Sequence, residues 1–225
     1  MNNKVKIISL VTMFMIFFSA TISVVSEFYF PGLDWTVQTS GTTQNLNGIS
    51  FFNMSWGTTI GDTALILHTE DKGNTWVDQS CGVTVDLLDV SFYDSFVGMA
   101  VGYEGTILNT SNCGETWTTY QTGWMITYYG AQMVTESVGF AVGVNTIFQP
   151  LVSWTTDGWQ SKNDVAFYLE HNSVFYEGQL RDVFFVNTST GFGAARVWDG
   201  QGAIVRTVDG GFTWETITGF PINIY

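Results

Sequence analysis

Arg181, Arg196 and Arg206 are the only arginines in the chain, and they set the first limit on its chemistry. A clamp on an anionic substrate brings guanidinium groups together from separate elements, because each offers a planar two-pronged donor to one carboxylate. These three fall in a single stretch. Arg181 sits on one predicted strand, Arg196 near the end of the next and Arg206 on a third, so they are not expected to ring a common centre. His68 and His171 are the only histidines, and Cys81 and Cys113 the only cysteines. No His, Cys and carboxylate group has the spacing of a metal site. No Gly-x-Ser-x-Gly elbow or phosphate loop is present. Twenty acidic residues make some carboxylate pair inevitable, so a two-carboxylate hydrolytic site leaves no specific signal. The expectation is a chain with no catalytic residues, no metal and no cofactor.

The elements behind these residues are set by a repeat. Four times a polar turn leads to Trp: Thr69 to Trp76, Thr110 to Trp117, a shortened Thr155-Thr156-Asp157-Gly158-Trp159, and Thr207 to Trp214. Trp35, Trp76, Trp117, Trp159 and Trp214 are separated by 41, 41, 42 and 55 residues. Phe51, Phe92 and Met133 keep the same 41-residue step, and Phe184 follows after 51. Both markers lengthen in the last interval, which one insertion explains. Each period divides into four short runs rich in Val, Ile, Phe, Thr and Trp, separated by Gly, Asp and Asn, which is the pattern of strands and turns. Four strands per period of 40–45 residues is a propeller blade.

Within each turn an Asp or Asn can bond backbone amides two residues on, and Gly supplies positive φ. Trp fills the space between blades. Asp71, Gly73, Trp76, Asn112, Gly114, Trp117, Asp157, Gly158, Trp159, Asp209, Gly211 and Trp214 are therefore read as structural.

These turns resemble the Asp-box, or bacterial neuraminidase, repeat, Ser/Thr-x-Asp-x-Gly-x-Thr-Trp. The wider phrasing, Trp35 to Gly41, then Leu46 to Phe51, Gly61-Asp62 and Ile66 to Thr69, is similar to the photosystem II assembly/stability factor family. The resemblance covers residues 34 to 217. It implies an all-β fold, a β-propeller of four-stranded antiparallel blades. It also implies a non-catalytic scaffold that holds a protein partner or polymer, such as a membrane-protein assembly intermediate. The alternative it raises is a carbohydrate-active protein, a sialidase-like glycosidase or sugar-binding propeller. That family has seven blades. This chain offers four full repeats, at 46-80, 88-121, 129-160 and 180-217, plus an orphan outer strand at 34-40, hence an incomplete or open ring. A fifth blade is due to begin at residue 226. Three origins stay open: a longer gene, strands supplied by another chain with self-association through unpaired blade edges, or closure by residues 220–225.

Residues 1-26, with Lys4 and Lys6 before an apolar run from Ile7, have the pattern of a signal peptide, so the 27-225 segment is expected to be exported, to the periplasm, the cell surface or the medium. No acidic and two basic residues lie in that leader, leaving 20 acidic against 5 basic and a net charge of −15. That charge disfavours nucleic acid as a partner. Strand alternation places Cys81 and Cys113 at opposite ends of their blades, beyond disulfide reach.

The loops that differ between repeats fall, by the same alternation, on one face. They carry Tyr103, Trp124, Tyr168, His171, Phe175, Tyr176 and Trp198, with a long insertion from Gln160 to Gln179. Exposed aromatics on rigid turns mark a binding surface, so this is the candidate partner-binding face.

Overall fold

The computed structural model describes residues 37–123, 125–171, 174–198 and 201–217. The expected leader, Trp35, Trp124 and residues 220–225 lie outside them. The chain divides into two units, Met1–Val37 and Gln38–Tyr225, and all the described strands belong to the second.

Eighteen strands are present among the described residues, and sixteen form four antiparallel sheets of four. Blade one holds β1 (Leu46–Phe51), β2 (Gly57–Gly61), β3 (Ile66–Thr69) and β4 (Val77–Asp78). Blade two holds β5 (Leu87–Phe92), β6 (Gly98–Gly102), β7 (Thr106–Thr110) and β8 (Thr118–Gln121). Blade three holds β9 (Thr127–Met133), β10 (Gly139–Val144), β11 (Pro150–Thr155) and β12 (Asn163–Ala166). A hairpin of β13 (Leu169–His171) and β14 (Val174–Tyr176) follows. Blade four holds β15 (Gly178–Phe185), β16 (Gly191–Val197), β17 (Gly202–Thr207) and β18 (Glu215–Thr216). One short 3-10 turn, Asp62–Ala64, is the sole helical element described.

Among the described residues the fold is a β-propeller of four blades. Inner strands pack in series, β1 on β5, β5 on β9 and β9 on β15, and no comparable packing joins blade one to blade four among the described residues. Middle strands are apolar on both sides because each is sandwiched: β6 and β10 are buried along their length. Three cores fill the gaps between blades, around Ile60 and Leu108, around Met99 and Tyr128, and around Phe140 and Leu180. Blade four differs, since β16 alternates strictly buried and exposed. One of its faces is packed on blade three and the other is bare.

Every inner strand carries a one-residue bulge at the same place, at Asn47, Leu88, Tyr129 and Arg181. A bulge re-aims its side chain out of the pleat. Asn47 uses this to donate to the Leu87 carbonyl of blade two at 2.9 Å. Arg181 reaches back to blade three, its guanidinium 4.3 Å from the centre of the Tyr129 ring.

Two expected boundaries shift. Blade three runs to Ala166, not 160, so the insertion before blade four is the β13–β14 hairpin alone. The partner of Phe51, Phe92 and Met133 in blade four is Phe185, not Phe184. Phe185 pairs with Gly191 as Phe51 pairs with Gly57, and it meets Trp214 edge-on at 5.9 Å as Phe51 meets Trp76 at 6.2 Å.

Candidate binding face

The polar turns share one hydrogen-bond plan. Thr69 donates to Asp71 Oδ1 and accepts from the Gly73 amide, while the Thr75 amide and hydroxyl donate to the two Asp71 oxygens at 2.8 and 2.7 Å. Thr207, Asp209, Gly211 and Thr213 repeat it. With Asn112 one bond reverses, and its amide donates to Thr116 Oγ1. These bonds hold the Asp71 and Asp209 carboxyls below the usual range, chiefly through Thr75 and Thr213, and hold Asp157 down to about 2, chiefly through Ser161. Every carboxylate oxygen named is already committed to its own turn.

The third turn is full length, which corrects its reading as shortened. Ser161 stands where Thr75 does, donating from amide and hydroxyl to Asp157 at 2.9 and 2.6 Å. Trp159, whose amide donates to Thr155 Oγ1 at 3.0 Å, therefore occupies the place of Gly73, at φ 65. That left-handed backbone is costly for a bulky residue. It persists because the ring is 94 % buried, at 6 % exposure, among Met99, Met133 and Val97 between blades two and three. Gly158 sits one place earlier, at φ 69.

The variable loops do gather at one end of the blades. The turn between β2 and β3 accepts from the connection that leads into blade one and contacts that of blade two: Thr63 donates to Asp86. The Tyr103 amide donates to the Asp86 carbonyl, and the Gly105 amide to the Ile126 carbonyl at 2.8 Å. The Gly178 amide, just after the hairpin, donates to the Phe148 carbonyl at 2.8 Å. A relay running from the surface to the buried Tyr128 fixes the connection into blade three. Asp164 accepts from Ser153, Ser153 lies 2.7 Å from the Tyr128 hydroxyl, and Tyr128 lies 3.0 Å from Thr122. Burial drives the Tyr128 hydroxyl up to about 12, so it stays protonated and holds the relay together.

Two aromatic pairs stand out of this end. Phe148, at φ 62 in the turn after β10, meets Trp198 edge-on at 5.5 Å, and both are about half exposed. Tyr168 meets Phe175 at 6.3 Å across the hairpin, with Phe175 65 % exposed. The hairpin is anchored rather than free. Leu169 is buried in the core with Val197 and Leu180, and the Glu170 amide donates to Thr216 Oγ1. Tyr176 lies half-buried against the same core. Tyr103 stands 42 % exposed on the blade-two turn. Burial raises the Tyr129 hydroxyl, with Arg181 opposing and Tyr103 reinforcing, so these three groups share one neighbourhood. Trp124 and the His171 side chain lie outside what is described. Phe148 and Tyr129 belong to this end but were not named in the sequence, and Arg181, weighed there only as a possible anion ligand, belongs to it too. Phe148 is signalled only by its place in a second-to-third strand turn, and Arg181 and Tyr129 only by their common bulge position.

The arginines do not converge. Arg181 covers Tyr129, Arg206 is paired with Glu215, and Arg196 stands exposed on the bare face of blade four. Among the described residues no group of three His, Cys, Asp or Glu could hold a metal ion, and no helix is long and apolar enough to cross a membrane. Cys81 and Cys113 are free thiols.

No family model matches this chain, and no curated protein does. Solved structures do. A structure described as YCF48 bound to D1 peptide aligns with a TM-score of 0.50 at 15 % identity, over 84 % of this chain and 88 % of that one. YCF48 from Cyanidioschyzon merolae aligns at 0.56 and 16 % identity, over 79 % of this chain and 57 % of the other. An ancestral GH74 enzyme aligns at 0.63 and 12 % identity, over 79 % of this chain but 24 % of its own length. At such identities the shared property is the fold: the chain is built as a β-propeller like these structures.

Proposed function

We propose that this protein is an exported, non-catalytic propeller that binds an extended polypeptide segment across the loop face bearing Phe148, Trp198, Tyr168 and Phe175. The observation that carries the reading is the pair Phe148–Trp198, half exposed yet fixed by rigid turns. Aromatic side chains held this way supply contact area at little entropic cost. A structural neighbour whose description names a bound peptide supports the class of ligand. The excess of 20 acidic over 7 basic residues favours segments in which basic residues flank the apolar ones. The non-catalytic part rests on the dispersed arginines and on turn carboxylates already used by their own backbone.

The test is selection of peptides from a random library on the immobilised protein, followed by fluorescence anisotropy with the peptides obtained. Trp198→Ala and Phe148→Ala should each weaken binding about tenfold or more, as loss of a central aromatic anchor does, with the melting temperature unchanged. Peptides bound equally well by the double variant would end the proposal. Binding of oligosaccharides in the same assay, lost with Trp198→Ala, would favour the sugar-binding alternative that the GH74 neighbours also fit.

A further inference from the structure

The insertion before blade four folds as a hairpin with no counterpart in the other blades among the described residues. β13 and β14 form a sheet of their own, so each has an outer edge to account for. Their pairing is antiparallel: Leu169 faces Tyr176, Glu170 faces Phe175 and His171 faces Val174. In such a ladder the residue pairs alternate. One pair exchanges both backbone bonds between the strands, and the next points its N–H and C=O groups away from the partner strand. Glu170 identifies which pair is which. Its amide donates to Thr216 Oγ1 of β18 at 3.0 Å, not to β14. The Glu170–Phe175 pair is therefore the outward-pointing one, and the Phe175 N–H and C=O groups line the outer edge of β14.

That edge is open. Among the described residues the two groups meet no partner outside the hairpin, and β14 pairs with no strand but β13. Val174 and Phe175 are 50 % and 65 % exposed. Backbone groups left open along a strand edge are a template for another strand. The hairpin is also held in place: Leu169 is fixed in the core and Thr216 holds the far edge, so the open edge is presented at little ordering cost. It leads directly to the exposed aromatic pair. Gly178, three residues after Phe175, donates its amide to the Phe148 carbonyl, and Phe148 meets Trp198. At most about 10 Å of extended chain separates Phe175 from Gly178.

We infer that the polypeptide segment bound on this face adds to β14 as a third strand, making one backbone bond to the Phe175 N–H and one to its C=O, and continues over Phe148 and Trp198. The inference rests on the proposed function and names its mode of recognition. Backbone pairing is blind to sequence, so side chains set the preference. The ligand residue opposite Phe175 stands beside its ring, on which Tyr168 closes edge-on from within the hairpin. A β-branched or aromatic residue fits there. Glu170 lies on the same face, opposite Phe175, and is exposed, so acidic neighbours in the ligand are disfavoured.

The experiment uses the full chain and a fluorescein-labelled peptide selected on it, read by anisotropy, with the melting temperature as the check on folding. Phe175→Ala removes the ring and keeps the N–H. Phe175→Pro removes both, and Pro is tolerated on an edge whose N–H pairs with nothing. The Pro variant should bind about tenfold more weakly than the Ala variant, the loss of one backbone bond. On the unaltered protein the peptide is N-methylated one residue at a time. Binding should fall about tenfold at the one residue whose amide meets the Phe175 carbonyl, and little at its two neighbours, whose amides point away from β14. A flat methylation scan, or equal binding by well-folded Ala and Pro variants, would overturn the inference; with Trp198→Ala still weakening the complex, the proposed function would stand. A peptide indifferent to both Trp198→Ala and Phe148→Ala would strike the proposed function itself, and this inference with it.

Discussion

Asp89 offers the sharpest test of how the blades are held. Its carboxyl lies between three inner strands, and burial pushes its pKa up from 3.8 to about 6, with Asp182 adding to the rise and the Ala131 and Val90 amides opposing it. The folded state thus binds this proton more tightly than the unfolded state. Between the two values the native chain carries the proton and the unfolded chain does not, so stability falls as pH rises through that window and the penalty is complete above it. A shift of this size corresponds to on the order of 3 kcal/mol. Asp89→Asn removes the titration but keeps only one acceptor for two amides, a loss of about 1–2 kcal/mol at a buried site. The expected result is a crossing. Measured by urea denaturation at one protein concentration, the variant should be less stable than the unaltered chain near pH 4 and as stable or more stable near pH 7.5. A constant difference at both pH values would refute the assignment of the proton to Asp89 and with it the account of this clasp between blades as a desolvated acceptor.

Three further outcomes follow from the turns and strands. Thr155, fully buried, accepts the Trp159 amide and donates to Asp157; Thr155→Val keeps its shape and should cost about 1–3 kcal/mol in urea denaturation, whereas no change would mean the turn is held by the Trp159 ring alone. Asp157→Asn should flatten acid sensitivity: the carboxyl's contribution is complete above its unfolded value of 3.8 and lost as pH falls towards about 2, so melting temperatures across pH 2–5 should vary less in the variant, as the natural Asn112 turn requires. Gly143→Ala would put a Cβ 1.8 Å from the Thr127 carbonyl oxygen across the β9–β10 bulge, while Gly202→Ala meets nothing nearer than 3.9 Å; the first should abolish soluble expression and the second should be silent, and a well-folded Gly143→Ala protein would contradict the observed bulge.

What the sequence made legible was whatever repeats by residue type. The blade count, the four-strand plan and the end of the blades that gathers the variable loops follow from the period and from alternation, because burial between neighbours imposes the same apolar pattern on every copy. The register of the third turn was hidden because Trp159 looks like Trp76. What defines that turn is a hydroxyl four residues after the Asp, and Ser161 supplied the sign: Asp71 to Thr75 and Asp209 to Thr213 have the same separation. Identity of a large aromatic was the weaker marker, because a Trp can be buried from several backbone positions, whereas a carboxylate reaches only the amides its own turn brings round. Phe184 misled for the same reason. Two adjacent phenylalanines straddle the two faces of β15, and only pairing with Gly191 tells which of them faces blade three.

The same contrast separates a covered side of a blade from a bare one. Asp89 and Asp182 are alike in type, in position and in the bond each accepts from the following amide, and nothing local distinguishes them. They differ in what stands on the far side: Asp89 meets the Ala131 amide of blade three, and Asp182 faces the bare side of blade four. Between blades three and four the apolar filling is heavier than elsewhere, with Phe140 and Phe185 stacked 3.6 Å apart and Phe167 stacked on Trp214. Beyond blade four, Phe184, Phe192 and Ile204 present a face of the same character to solvent. An exposed apolar sheet face is an association surface by default. Here that face also carries Asp182 and Arg196, both exposed, so its polar groups as well as its apolar area bear on what can pack there.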